Sequence, residues 1–189
     1  MALLAGARRP RLLGVLAGFG ALLKVWPMLL LAGTRRGGDT RRSWCAAAGT
    51  AGGLLVLAGA TVPGALDFLG AQRGRGTEVE SLGALVFHVA RHAGWTGEVR
   101  FNYGSVEFLG PYVPLVSALA QVLTVLALGW LLVWRHKAGG WPAGTLTDAA
   151  FVAVLLFTVT SRVISPQYMV WLVGLAAVCL VFPGSVMAG

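Results

Sequence analysis

Residues 111–134 have the sequence PYVPLVSALAQVLTVLALGWLLVW, which contains no Asp, Glu, Lys or Arg. An α-helix rises about 1.5 Å per residue, so a helix of this length spans a hydrocarbon core about 30 Å thick. The run therefore predicts a membrane-spanning helix. Four more apolar runs occupy much of the remaining sequence, at residues 12–32, 44–66, 146–163 and 165–182.

The composition places the whole chain in the same class. Hydrophobic residues make up 57% of the 189 residues and charged residues 12%, and the mean hydropathy is +0.76. A soluble domain of this size buries only about 70% of its chain surface, which is too little to hide so many apolar side chains. We expect an all-α, polytopic membrane helix bundle of about five spans, forming a single membrane domain over residues 1–189.

The formal charge of +8 would suggest a nucleic-acid partner in a soluble protein. Here the basic residues lie beside apolar runs, where they set membrane topology and meet lipid headgroups. We therefore expect membrane lipids and no nucleic acid as partners. Cys45 and Cys179 both lie in apolar runs and have the spacing of neither a disulfide framework nor a metal site.

The linkers between the runs predict the topology. Residues 33–43 contain four arginines and residues 135–144 contain Arg135 and Lys137, so both linkers should be cytoplasmic. Residues 67–110 and 161–168 then lie outside the cell membrane. Lys24 and Pro27 interrupt the run 12–32, which either crosses once or forms a re-entrant hairpin. We favour the hairpin, because it keeps the arginines of residues 8–11 in the cytoplasm.

The outer loop, residues 67–110, holds five of the seven carboxylates and four arginines. Thr77 and Glu80 have the spacing of a capping box, which predicts a helix that begins at Thr77. Its apolar face would be formed by Leu82, Leu85, Val86, Val89 and Ala93, and would lie in the membrane interface. The alternative is a surface helix that only closes the loop.

Two groups of residues have the chemistry to bind a phosphate. Arg73 and Arg75 could present two guanidinium groups to one dianion, or could anchor the loop to lipid phosphates. Arg162 lies at the end of a span beside Gln167 and Tyr168. Polar clusters at such positions are commonly functional, although an arginine there can also be a snorkelling anchor.

A histidine pair, His88 and His92, has the spacing of one helix turn. No third ligand accompanies the pair at a motif spacing, so a solvated helix face competes with a metal site. We expect no metal and no cofactor.

Three segments resemble the carboxyl-terminal half of glycosyltransferase family 87 of actinobacteria. They occur in the family's order and between predicted spans. The segments are Lys24-Val25-Trp26-Pro27, Arg75-Gly76-Thr77-Glu78-Val79-Glu80-Ser81-Leu82, and Ser161-Arg162-Val163-Ile164-Ser165-Pro166-Gln167-Tyr168-Met169-Val170-Trp171-Leu172.

The resemblance implies a hexosyltransferase of the GT-C architecture, with polyprenyl-phosphate-mannose as donor and a lipid or glycan as acceptor. Arginines 73, 75 and 162, with Lys24 as a further candidate, would meet the charge of the departing phosphate. Gln167 and Tyr168 would orient the donor, and Glu80 would hold a sugar hydroxyl or an arginine. The family's general base lies in an earlier loop, so we expect the chain to be a fragment of a longer enzyme.

Two other classes of protein remain open from the sequence. A transporter fragment would use Lys24 and Arg162 as substrate ligands near the membrane midplane. A non-catalytic membrane scaffold would use the outer loop only as an interaction surface.

Overall fold

The computed structural model describes residues 3, 8–67, 75–102, 104–182 and 184–188. Within these ranges the chain is mostly helical and divides into two compact units. We call unit 1 the residues Met1–Ala65, Leu131–Leu155 and Val170–Gly189, and unit 2 the residues Leu66–Trp130 and Leu156–Met169.

The helices follow the apolar runs of the sequence. They are α1 (Pro10–Leu23), α2 (Gly38–Thr61), α3 (Leu85–His92), α4 (Val113–Lys137), α5 (Thr145–Thr160) and α6 (Gln167–Val181). Short 3-10 segments cover Trp26–Gly33, Leu82–Ala84 and Val186–Ala188, and the strands are β1 (Thr77–Glu78), β2 (Glu98–Asn102) and β3 (Ser105–Leu109).

Two of the described helices, α2 and α4, are long and apolar enough to cross a membrane. The other three apolar helices, α1, α5 and α6, have 14, 16 and 15 residues. Each predicted span thus contains an apolar helix. Among the described helices, α2 and α4 have the full length needed to cross a membrane.

The first apolar run breaks at the predicted position in unit 1. Helix α1 ends at Leu23, Lys24 is extended, and a 3-10 segment begins at Trp26. Pro27 packs on Gly20, and the start of α1 lines the same pocket as the end of the 3-10 segment, at Gly33. The run therefore folds back on itself at this break.

Helices α1 and α2 pack closely because glycine lies at their contact. A Cβ atom on Gly14 would lie 2.1 Å from the carbonyl oxygen of Ser43, and one on Gly18 would lie 2.4 Å from that of Ala47. Small residues at this spacing let apolar helices approach each other closely, and the close approach gives dispersion contacts that stabilise the pair. The unit 1 core continues through Leu13, Ala17, Leu31, Ala47, Ala150 and Val154.

Unit 2 contains a three-stranded antiparallel sheet that the all-α prediction lacked. The strand order is β1-β3-β2, with Thr77 opposite Phe108 and Arg100 opposite Glu107. Residues of β3 alternate between polar and apolar side chains, so one face carries Phe108 into a core with Phe87 and Val113. The sheet organises part of the predicted outer loop.

The prediction that a helix begins at Thr77 is wrong. Thr77 is in β1, where it is fully buried and its hydroxyl lies 2.7 Å from that of Ser117. The cap belongs to Ser81, whose Oγ accepts a hydrogen bond from the N–H of Ala84. Residues 77 and 78 are extended in β1, which pairs with β3, and the N–H of Glu78 donates to the carbonyl of Arg162, so the helical turn starts only after this strand.

The predicted apolar stripe of helix α3 and of the 3-10 turn before it lies on the surface of the protein. Leu82, Leu85, Val86 and Val89 are exposed, whereas Phe87 is buried against Phe108 and Trp95. The helix therefore has two apolar sides. One side attaches α3 to the sheet, and the other is available to the membrane interface that the sequence predicts.

Replacement of Gly14 by Ala tests the close packing of α1 on α2. The added methyl group has no room beside Ser43, so the helices must separate, at a typical overpacking cost of about 1–3 kcal/mol. We expect a lower midpoint of thermal unfolding in detergent. Gly49→Ala is the matched control, because its Cβ would meet open space on α2. Equal stability of the two variants would contradict the packing.

Candidate functional site

The carboxylate of Glu107 is the centre of the polar interactions in unit 2. It is completely buried on β3 and accepts hydrogen bonds on both oxygens. Arg75 Nε donates to Oε1 at 2.9 Å, and the N–H of Gly76 donates to Oε2 at 2.9 Å. Ser105 Oγ lies 3.1 Å from Oε1 and also accepts a hydrogen bond from Arg75 Nη2 at 2.7 Å. Glu107 thereby fixes both the backbone at Gly76 and the direction of the Arg75 guanidinium.

These contacts explain the charge state of Glu107. Burial by itself raises the pKa of a carboxyl group, but here the hydrogen bonds from Gly76, Arg75 and Ser105, with the charge of Arg75, outweigh burial. The pKa of Glu107 is therefore below its ordinary value. Glu107 is an ionised partner for Arg75 at neutral pH.

The loop between α5 and α6 joins this cluster through Arg162. Arg162 Nη1 donates to the carbonyl oxygen of Arg75 at 3.1 Å, and the Arg162 carbonyl accepts a hydrogen bond from the N–H of Glu78 at 3.0 Å. The hydroxyl groups of Thr124 and Thr160, 2.9 Å apart, connect α4 with the end of α5 just before the loop. The structure thus brings together two of the predicted phosphate-binding residues, Arg75 and Arg162.

Both arginines line one pocket of about 340 Å³ in unit 2. Gln121 and Ser117 supply further polar groups from α4. The remaining lining residues are mostly apolar or glycine, namely Gly76, Leu109, Gly110, Val113, Pro114 and Ala118. A pocket with two guanidinium groups and apolar walls can bind an anionic group that carries a hydrocarbon chain.

A second buried carboxylate, that of Glu78, belongs to β1, and the backbone N–H of Glu78 donates to the carbonyl of Arg162. Only 6% of the residue is exposed, and its Oε2 atom has no hydrogen-bond partner among the described residues. Burial raises the pKa of Glu78, and the N–H of Ile164, the charge of Arg75 and the hydroxyl of Ser105 offset this effect only in part. The two buried carboxylates of the sheet therefore differ in the direction of their pKa shifts.

The other predicted site residues lie in different environments. Lys24 belongs to unit 1, where its Nζ lies 4.9 Å from the ring centroid of Trp171. Glu80 is exposed in the turn after β1 and forms no salt bridge with another described residue. Gln167 is exposed at the start of α6, and Arg73 lies outside the described residues.

Tyr168 is buried at the beginning of α6 in unit 2. Its ring stacks on Phe157 of α5 with 6.4 Å between the centroids, and its backbone N–H donates to the carbonyl of Ser165. Tyr168 thus packs the base of the 161–166 loop, close in sequence to Arg162. Its predicted contact with a donor remains a prediction.

The histidine pair is divided between two roles. Both side chains are exposed, but His88 Nε2 lies 3.0 Å from the carbonyl oxygen of Val79 and its ring meets Phe108 edge-on. Within the described ranges, no group of three or more His, Cys, Asp or Glu side chains could hold a metal ion.

Sequence reasoning did not single out Glu78, Glu107, Ser105 or Gln121 as site residues. The alternation Ser105-Val106-Glu107-Phe108-Leu109 is the signal that could have identified Glu107. If this segment is a strand, Val106 and Phe108 lie on one face and Glu107 lies on the other. The capping-box spacing of Thr77 and Glu80 predicts a helix in this loop, and a helix gives the Glu107 carboxylate no partner.

Comparisons of the chain with protein-family models, with curated proteins and with solved structures give no match.

Replacement of Glu107 by Gln tests the role of the buried carboxylate. The variant leaves Arg75 without its anionic partner, and removing one member of a buried pair typically costs about 3–5 kcal/mol. We expect a large loss of unfolding free energy in detergent. Glu98→Gln makes the same chemical change in the exposed pair with Arg100, so it should change stability by less than about 1 kcal/mol. Equal effects of the two substitutions would refute a special role for Glu107.

The raised pKa of Glu78 predicts a particular dependence of stability on pH. Below the ordinary value of 4.5 the carboxyl group is protonated in both the folded and the unfolded chain. As the pH rises from there through the folded-state pKa, the unfolded chain ionises more readily, so folding loses stability. Unfolding measurements from pH 4 to about pH 8 should show wild type losing stability relative to Glu78→Gln. A relative gain with rising pH would contradict the assignment.

Proposed function

We propose that this chain functions as a membrane glycosyltransferase, transferring a hexosyl group from a polyprenyl-phosphate-linked sugar to a lipid or glycan acceptor. The observation that carries the proposal is the pocket of unit 2, in which Arg75 and Arg162 stand beside apolar walls. The three-segment resemblance to glycosyltransferase family 87 supports the same chemistry. We further propose mannose as the donor sugar on the basis of that resemblance alone.

The reaction explains why two guanidinium groups are useful. The bond between the sugar C1 and the phosphate oxygen breaks, the acceptor oxygen bonds to C1, and the acceptor proton passes to a base. Polyprenyl phosphate leaves with a growing negative charge. Cations that are already in place stabilise that charge without having to reorganise.

The surroundings of the arginines support this role. Glu107 and Ser105 hold Nε and Nη2 of Arg75, so the guanidinium group has a fixed plane. Arg162 is fixed by the carbonyl of Arg75. Gln121 can donate a hydrogen bond to a phosphate or sugar oxygen, and the apolar residues of the pocket suit the first isoprene units.

We also propose that all five apolar runs enter the membrane, with the pocket of unit 2 on the outer side. The two basic linkers support this orientation. Gly38 lies in the first linker and Gly140 in the second.

Cysteine labelling in intact cells tests the orientation, in a background with Cys45 and Cys179 replaced by Ala. An impermeant thiol reagent should label Thr96→Cys, which is exposed in the outer loop. Gly38→Cys and Gly140→Cys should react only after the membrane is permeabilised. The reverse pattern would move the pocket to the cytoplasmic side and overturn the proposed use of an outer donor.

Replacement of Arg162 by Lys tests the phosphate-binding role. Lysine keeps the positive charge but loses the planar fork, so it does not reproduce a guanidinium contact. We expect the affinity of the purified chain for polyprenyl phosphate to fall at least tenfold. In the longer enzyme that the resemblance implies, transfer from polyprenyl-phosphate-mannose should slow by a similar factor, equivalent to about 1.4 kcal/mol of activation barrier.

Arg100→Lys is the matched control, because Arg100 is exposed on β2 and does not line the pocket. Both variants should insert in the membrane to the same level. Wild-type affinity and rate in Arg162→Lys would indicate a snorkelling anchor, and the phosphate-binding proposal would then be wrong.

A further inference from the structure

Unit 1 carries the entire net charge of the chain. Three short segments, residues 8–11, 35–42 and 135–137, contain nine of the fifteen Lys and Arg residues and only one carboxylate, Asp39. Their formal charge is therefore +8, equal to that of the whole protein. We call these three segments the basic cap. The charges elsewhere in the sequence cancel.

The fold gathers the second and third of these segments at one place. Arg36 Nη1 donates to the carbonyl oxygen of His136 at 2.7 Å. Arg135 donates to the carbonyl of Ala32 and, at 2.6 Å, to the hydroxyl of Thr40. Trp141 Nε1 donates to the carbonyl of Gly33 at 2.9 Å, so the chain after α4 is also fixed to this linker.

The first segment joins them through the packing of α1. Gly14 lies against Ser43 near the start of α2, and Pro10 and Leu13 line a pocket of about 250 Å³ together with Arg35 and Trp141. The pocket also receives polar groups from Thr34, Asp39 and Ser43. A concave polar site thus lies within the most basic region of the protein.

Most of this charge is available for an external partner. Arg8, Arg9, Arg11, Arg35, Arg41 and Arg42 are all exposed. Arg135 is different, because it is half-buried, its guanidinium lies 5.1 Å from the Trp141 ring centroid, and it holds the linker. So many like charges repel one another, and a bound anion would remove that repulsion.

The positions of the tryptophan residues indicate which kind of anion the basic cap would meet. Trp44 follows the basic residues at the start of α2, and Trp134 precedes those at the end of α4, with its ring centroid 6.0 Å from that of Trp141. Indole rings next to Lys and Arg, at the ends of span-length apolar helices, are typical of the lipid headgroup layer.

We propose that the basic cap is a binding site for anionic phospholipid headgroups, with the 250 Å³ pocket receiving one headgroup. Arg35 contacts the phosphate at the pocket, and the surrounding exposed arginines attract the anionic leaflet. The carboxylate of Asp39, 3.8 Å from Arg42, favours a headgroup with hydroxyl groups that can donate to it. This inference is independent of the transferase proposal.

The test compares phosphatidylglycerol with phosphatidylcholine as titrants of the purified chain in neutral detergent. We expect phosphatidylglycerol to bind at least tenfold more tightly, with affinity that falls as salt is added. The double variant Arg11→Gln/Arg35→Gln should lose at least tenfold in affinity for phosphatidylglycerol. Both side chains are exposed, so folding should be preserved, which the midpoint of thermal unfolding verifies.

The control is Arg91→Gln/Arg100→Gln, which removes the same charge from two exposed arginines of unit 2. It should change the affinity less than twofold. An equal loss in both double variants would show only a net-charge effect and overturn the site.

Two competitors distinguish other sources of the anion. Inorganic phosphate that displaces the lipid at equal concentration would indicate a free-anion site. An oligonucleotide that displaces it at nanomolar concentration would indicate a polyanion surface. Either outcome, or equal binding of both lipids, overturns the headgroup assignment.

Discussion

The buried ion pair between Glu107 and Arg75 is the interaction on which the organisation of unit 2 depends. An ionised carboxylate with no exposure to water is stable only if its oxygens are satisfied, and here Arg75, Gly76 and Ser105 satisfy them. Gly76 must approach closely to do so, because a Cβ atom there would lie 2.3 Å from the carbonyl of Phe108. The carboxylate therefore determines the path of the chain into β1.

The same pair determines what Arg75 can contribute to the pocket. Arg75 uses two of its nitrogens on protein groups, and its side chain is 14% exposed. Its partner Glu107 also cancels much of its charge. Arg162 donates through Nη1 to the carbonyl oxygen of Arg75. Arg75 therefore contributes mainly geometry to the pocket, because its backbone holds Arg162 and its side chain is held by Glu107 and Ser105.

The helical part of the fold is predictable from the sequence, because apolar runs such as residues 111–134 have one stable arrangement in a membrane. The break at Lys24–Pro27 is also predictable, since proline cannot continue the hydrogen bonds of α1. The sheet is not. β1 has only two residues, and its pairing with β3 depends on contacts about 30 positions apart in sequence that no local pattern encodes.

The candidate site shows the same division. Arg162 is identifiable because a charged side chain at the end of a span is costly and therefore conspicuous, and Arg75 because its spacing from Arg73 indicates paired guanidinium groups. Glu78 and Glu107 are not, because their role depends on burial and on partners in other segments, which the alternation of one short strand does not specify. Thr77 illustrates the error in the other direction. Its spacing from Glu80 satisfies a local rule for helix caps, but a hydrogen bond to Ser117, forty positions away, prevails.

The connection between Arg162 and Arg75 has a consequence for biosynthesis. The two residues lie 87 positions apart, whereas Arg75 and Glu107 are separated by only 32. The ribosome releases both members of the ion pair well before it has made α5 and the 161–166 loop. Contacts between distant segments form late and slowly, because a long loop must close first. Arg75 and Glu107 can therefore neutralise each other early in synthesis, and Arg162 can reach the pocket only after the end of α5 has been made.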